Sequence, residues 1–265
     1  MGAEPRAHEF PLQHLTASGA ITMAVSTTFK SRLKEKEHLA EGTMGFYFAK
    51  PAGFQFKPGQ YLDITLVDPP ETDTEGNIRS LSIASAPEDE HLLVATRMRD
   101  TAFKRVLRMA PFDLEVNMEG PMGSFTLHNN TAKPAVFLAG GIGITPFSSI
   151  LRHAAKAKLP HHLFLFYSNR RPEDAAFMPT LQELEKENQN FKFIPSMSEM
   201  SKSAQTWNGE SGFINRDMLT RHLPNLQGPI YYIAGPPAMV AAMRQMLSAA
   251  GVDEDDLRTE EFAGY

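Results

Sequence analysis

The chain changes rhythm once, near Pro134, and that change limits its fold more than any other feature. Before it, from Ala24 to about Asn130, short β-rich stretches are separated by Pro, Gly and Asp clusters. They include "TMGFYFAKP" (43–51), "GQYLDITLV" (59–67), "RSLSIASAP" (79–87), "HLLVATRM" (91–98) and "DLEVNMEG" (113–120). Such spacing predicts an antiparallel barrel or sandwich, interrupted by a helix at "TAFKRVLRM" (101–109). After Pro134, apolar runs alternate with helical patterns. Strands with little alternation are expected where helices cover both faces of a parallel sheet. The reading is therefore an antiparallel β-barrel over residues 23–130, then an α/β Rossmann-like domain with a parallel sheet over 131–265.

Composition narrows the function. The chain has 265 residues, 42% of them hydrophobic, and a net charge of −5. That balance gives no reason to expect nucleic acid as a partner. No apolar run approaches the roughly 18–20 residues of a membrane span. Cysteine is absent, which removes disulfides, Cys-ligated zinc, a catalytic thiol and a Cys-bound iron–sulfur cluster. A cytoplasmic location is expected. The nine histidines show no metal-ligand spacing, and His161–His162 reads as surface or sheet edge. Residues 1–22 lack periodicity and signal-peptide character, so a leader or disordered extension is expected there, with Met23 as the natural start.

Two turns carry the chemistry of the second half. In "VFLAGGIGITPFSSIL" (136–151) an apolar strand runs into Gly140, Gly141 and Gly143. Thr145 then suits a helix N-cap and Pro146 the first helical position. Glycines permit a sharp turn and close approach of a ligand, and exposed N–H groups at a helix start favour a phosphate. The pattern is not the usual G-x-G-x-x-G, because Pro146 stands in place of the third glycine. "IYYIAGPPAMV" (230–240) repeats the arrangement with Gly235 and Pro236. Ligands of open parallel sheets bind beyond the carboxyl ends of strands, so these turns are expected to wall one crevice.

Taken together, these motifs resemble the ferredoxin–NADP⁺ reductase family, over nearly all of Met23–Tyr265. "FKPGQYLDI" (56–64), "RSLS" (79–82), "GPMGSFTL" (120–127), "GGIGITP" (140–146) and "AGPPAMV" (234–240) follow that family's motif order. The resemblance implies a flavin-binding barrel and a nicotinamide-nucleotide domain. It implies that Arg79 pairs with the flavin diphosphate and that Ser82 hydrogen-bonds the flavin ring near N5. Ser80 and Leu81 complete that strand, and Leu81 departs from the tyrosine usual there. Thr101 and the backbone of Ala102 and Phe103 are implied to face the phosphates. Gly120, Gly123 and Ser124 form the turn closing the flavin domain.

At the carboxyl end, Phe262, or else Tyr265, is implied as the aromatic on the nicotinamide side, with Glu260 as the nearby carboxylate. Ala234 stands where many relatives carry cysteine. FAD is expected ahead of FMN. In "SMSEMSK" (196–202), Ser198 fits the nucleotide site and Glu199 sits where NADPH-selective relatives place arginine, so the expectation leans to NADH. Arg170, Arg171 and Lys202 stand close enough to reverse it. The implied activity is reduction by NAD(P)H with electrons passed to a separate acceptor: ferredoxin, flavodoxin or another carrier. The alternatives are a reductase of free flavin or ferric chelates, and a non-catalytic flavin-binding module. "FKSRLKEK" (29–36) reads as a solvated strand face rather than a docking patch.

Overall fold

A computed structural model gives the fold of residues 26–263. The expected leader at 1–22 and Tyr265 lie outside the described residues.

The first half forms six strands: β1 (Thr27–Ala40), β2 (Thr43–Ala49), β3 (Tyr61–Leu66), β4 (Ile78–Ser82), β5 (His91–Arg97) and β6 (Glu115–Met122). Their order is β4-β3-β6-β1-β2-β5, and every pairing is antiparallel. An antiparallel bridge from Ile83 to Val94 joins the two edges and closes the sheet into a barrel. Alternation along β1 sends Ser31 and Leu33 inward and Lys30, Arg32 and Lys34 outward. The inward set builds a core around Phe46, Phe48, Leu62, Ile64 and Val116, each at most 2% exposed. Burying a side chain of this size stabilises the fold by roughly 1.5–3 kcal/mol. Helix α1 (Ala102–Met109) packs Phe103 and Leu107 into the same core.

The second half is a parallel sheet of β7 (Ala135–Gly140), β8 (Leu163–Asn169), β9 (Phe191–Met197), β10 (Glu210–Ser211), β11 (Ile230–Gly235) and β12 (Leu257–Glu261). Their order is β10-β9-β8-β7-β11-β12. Helices α2 (Thr145–Lys156) and α3 (Met178–Glu187) cover one face; α4 (Arg216–His222) and α5 (Pro237–Ala249) cover the other. Central strands β7 and β11 are buried at every residue, which accounts for their unbroken apolar runs. The chain winds outward from β7 to β9, then returns to β11 on the other side of β7. That reversal puts the topological switch point between β7 and β11, where both glycine turns lie.

The two halves share one apolar cluster. Ala84, Leu93, Ala95 and Phe125 of the barrel pack with Phe137, Phe147 and Tyr232 of the α/β half. The hydroxyls of Ser148 and Ser149 donate to the carbonyls of Ala84 (3.0 Å) and Ser85 (2.6 Å) across the junction. His161 departs from its expected surface position. It is 5% exposed, and its Nε2 lies 2.9 Å from the carbonyl oxygen of His128. The sequence placed it at a strand margin, but the linker carrying His128 folds over that margin and buries it.

Candidate functional site

A crevice of about 810 Å³ opens between the halves. Gly141, Ser198, Pro236 and Phe262 line it from the α/β side, and Arg97 and Arg99 from the end of β5. Gly141 holds φ +53°, and a Cβ there would point into open space, so its backbone faces the crevice unshielded. Gly143 has the opposite reason for being glycine. A Cβ at Gly143 would lie 2.3 Å from the carbonyl oxygen of Ala234, so the turn packs directly on the end of β11.

Thr145 is not the N-cap that its sequence position suggested. A 3₁₀ turn over Gly141–Ile144 runs straight into α2, and the Thr145 hydroxyl donates back to the carbonyl of Ile142 at 3.0 Å. The part of this segment that lines the crevice is therefore the glycine turn itself, at Gly140, Gly141 and Ile142. Pro146 is accordingly the second residue of α2 rather than the first, still within its first turn.

The crevice wall is cationic. Arg97, Arg99 and Arg170 line it, against the single carboxylate Asp174. Arg171 holds that carboxylate through 3.0 and 2.9 Å contacts and pushes its pKa down. This suits an anionic ligand. Arg97, Arg99 and the exposed Phe213 were missed in the sequence. The Arg-x-Arg pair ending a barrel strand was visible, but nothing local shows that this end meets the second sheet. Ser198 lines the crevice, whereas the Glu199 carboxylate binds Lys202 at 2.6 Å, which keeps it ionised.

Phe262 is half-buried, and its N–H donates to the carbonyl of Gly235 at 3.0 Å. Glu260 pairs in register with Ala234, one residue before that glycine. Its Oε2 is buried with no hydrogen-bond partner, and burial pushes its pKa up to about 7.

The flavin motif is more divided. Ser82 is 5% exposed and lies opposite Tyr61 in the β3–β4 register. Tyr61, which sequence reasoning overlooked, packs against Gly123: a Cβ on that glycine would stand 3.0 Å from the ring. Neighbouring Gly120, at the end of β6, likewise packs on Leu62, and Ser124 is exposed. Leu81 belongs to the barrel core, 4% exposed, with Leu62 and Phe103. Across the strand pair Leu81 faces Leu62, whereas Tyr61 faces Ser82, so the tyrosine lies on the other side of the sheet from Leu81.

Ser80 turns outward and donates to Asp63 at 2.5 Å. The guanidinium of Arg79 lies 5.2 Å over the ring of Phe103 and contacts Glu75 Oε2 at 2.8 Å. The Phe103 side chain is thus core. Thr101 occupies the N-cap position of α1 without using its side chain as a cap, and its Oγ1 is buried and unpartnered. The Ala102 N–H donates to Asp73 Oδ2 at 2.6 Å. A guanidinium, a helix N-terminus and an orphaned hydroxyl in one corner fit a diphosphate.

The basic stripe on β1 is neutralised. Lys30 and Arg32 pair with Glu115, and Lys34 with Asp113. It is a solvated strand face, as expected. Among the described residues no helix is long and apolar enough to cross a membrane, and no group of His, Cys, Asp or Glu is arranged to hold a metal.

A barrel joined to a doubly wound sheet, with two glycine turns at the switch point, is the two-domain ferredoxin–NADP⁺ reductase-like fold. Within it, residues 137–245 match the oxidoreductase NAD-binding domain. The chain is 29% identical over 217 residues to the reductase component of propane 2-monooxygenase from Rhodococcus jostii, covering 80% of this chain and 57% of that protein. It is 31% identical over 207 residues to one component of the Na⁺-translocating NADH-quinone reductase from Methylococcus capsulatus, covering 71% and 49%. It therefore spans only half to three fifths of the length of these relatives. The flavohem-like FAD/NAD-binding domain of nitric oxide dioxygenase from Vibrio cholerae superposes with a TM-score of 0.76 at 20% identity, covering 88% of this chain and 98% of that one.

Proposed function

We propose that the protein is an FAD-dependent NAD(P)H reductase that delivers electrons to a separate acceptor. The observation that carries the reading is the crevice at the switch point. It is cationic, walled by both halves, and bounded by Gly141, Pro236 and Phe262. A bound flavin supplies the chemistry, accepting hydride from nicotinamide and passing its electrons on. The chain's own residues bind and orient. The turn at Gly141 and Ile142 receives the nucleotide diphosphate, and Arg97 and Arg99 balance its charge. Phe262 covers the nicotinamide side and moves aside for the nucleotide. Arg79, Thr101 and Ala102 hold the flavin diphosphate. Ser82 and Tyr61 border the flavin ring, and Glu260 holds a proton beside the end of β11.

NADH is the proposed donor. Glu199 is paired with Lys202, so the preference rests on the relative named as part of an NADH-quinone reductase. The acceptor is proposed to be a protein carrier, as the relative named as a monooxygenase reductase component suggests. The test is steady-state NADH oxidation by the FAD-loaded protein with a ferredoxin, a flavodoxin, free FMN or ferric citrate as acceptor. Faster turnover with a protein carrier supports the reading. Preference for free FMN or ferric citrate would reassign the chain to small acceptors.

A further inference from the structure

The loop between β3 and β4, "PPETDTEGN" (69–77), sits on the corner assigned above to the flavin diphosphate. It supplies three carboxylates, each bound to a donor at that corner. Glu75 takes Arg79 at 2.8 Å, and Asp73 accepts from the Ala102 N–H at 2.6 Å. Glu71 accepts from Arg105 Nε (3.0 Å) and Nη2 (2.7 Å). Arg79 is further tied to the loop by Nη1, which donates to the carbonyls of Glu75, Gly76 and Ile78. The Thr101 hydroxyl, buried in the same corner, has no partner.

The base of the loop is fixed. Asn77 Nδ2 donates to the Leu66 carbonyl at 2.8 Å, and the Leu66 N–H returns a bond to Asn77 at 3.0 Å. Between these anchors the acidic residues are exposed.

We propose that this loop is an internal substitute for the flavin diphosphate: it closes the cofactor corner, and FAD must displace it to bind. The inference rests on the flavin reading above. The chemistry matches group for group. A diphosphate offers anionic oxygens to a guanidinium and to helix N–H groups, and Glu75 and Asp73 offer the same. Both cannot be present. Two phosphate charges beside three carboxylates would repel, so cofactor uptake requires Glu75 and Asp73 to withdraw. The loop engages the arginine and the helix N-terminus, and it opposes flavin binding by the same contacts.

The test is flavin affinity, read by fluorescence quenching of FAD and of riboflavin, with the wild-type protein and the D73N/E75Q variant at one ionic strength. Asn keeps an acceptor oxygen for the Ala102 N–H, so the variant keeps α1 in place. Glu71 pairs with Arg105 instead, and Glu71→Gln is a second variant. The expected result is FAD bound about tenfold more tightly by D73N/E75Q, a smaller gain in E71Q, and riboflavin unchanged, since it carries no phosphate. Equal or weaker FAD binding in the variants would overturn the proposal. So would an equal gain for riboflavin, because the loop would then act on the fold. No binding of any flavin by any form would refute the flavin reading itself.

Discussion

At the residue scale, Glu260 separates a structural carboxylate from a working one. Its folded pKa of about 7 stands above the ordinary 4.5 because burial disfavours the charge. The folded state therefore binds more protons than the unfolded state between pH 4.5 and 7, and this group's contribution to stability falls as pH rises through that window. Glu260→Gln is expected to remove that decline from a plot of Tm against pH. In the FAD-loaded protein, the rate of reduction by NADH is expected to inflect near pH 7 in the wild type and to flatten in the variant. A profile that keeps its inflection in E260Q would assign the proton to another group. This residue was named from the sequence, as were Gly141, Ser198 and Phe262. Its burial was not readable there, because the β11 partner that sets it lies far away in sequence.

At the scale of elements, the glycine turn and the linker behind it make different demands. Gly143→Ala places a methyl against the Ala234 carbonyl, and overpacking of this kind costs about 1–3 kcal/mol. For a chain of this size that predicts a fall in Tm of roughly 2–4 °C per kcal/mol, with weaker nucleotide binding. Calorimetry with and without NADH checks both.

The linker depends on His128, which stacks on Tyr232 and meets its hydroxyl at 3.0 Å. Burial pushes its pKa down. The unfolded state then binds the extra proton first, so this group's contribution is present above about pH 6.5 and is lost as pH falls below it. His128→Gln is expected to reduce acid sensitivity in that range, opposite in sign to the Glu260 effect, and the Tm–pH curves of the two variants separate them.

The element pattern itself was largely legible. Helices α2, α3 and α5 and the strands from β2 to β9 follow from periodicity and turn residues, because burial imposes those periods. What escaped was contact between distant elements. Thr145 reads locally as a cap, yet the preceding 3₁₀ turn makes it the first residue inside the helix. The 69–77 loop reads as a polar connector, and only the fold brings its acids to Arg79 and Ala102.

At the scale of the whole molecule, the crevice exists because two halves pack through one shared cluster. Ala84, Phe125 and Phe147 belong to it, and Arg258 adds a link from β12 to the Thr126 carbonyl at 2.9 Å. With the junction apolar and hydrogen-bonded, the halves are expected to unfold in one cooperative transition, checked by coincident loss of far-UV and near-UV circular dichroism. Two separated transitions would contradict this packing.

The central claim is that nicotinamide and flavin meet in this crevice. The direct test is anaerobic mixing of the FAD-loaded protein with NADH and with NADPH in parallel, following the flavin absorbance. Rapid bleaching, faster with NADH than with NADPH, is the predicted result. A protein that holds FAD and bleaches with neither nucleotide would contradict the account and make this a flavin-binding module without hydride chemistry of its own.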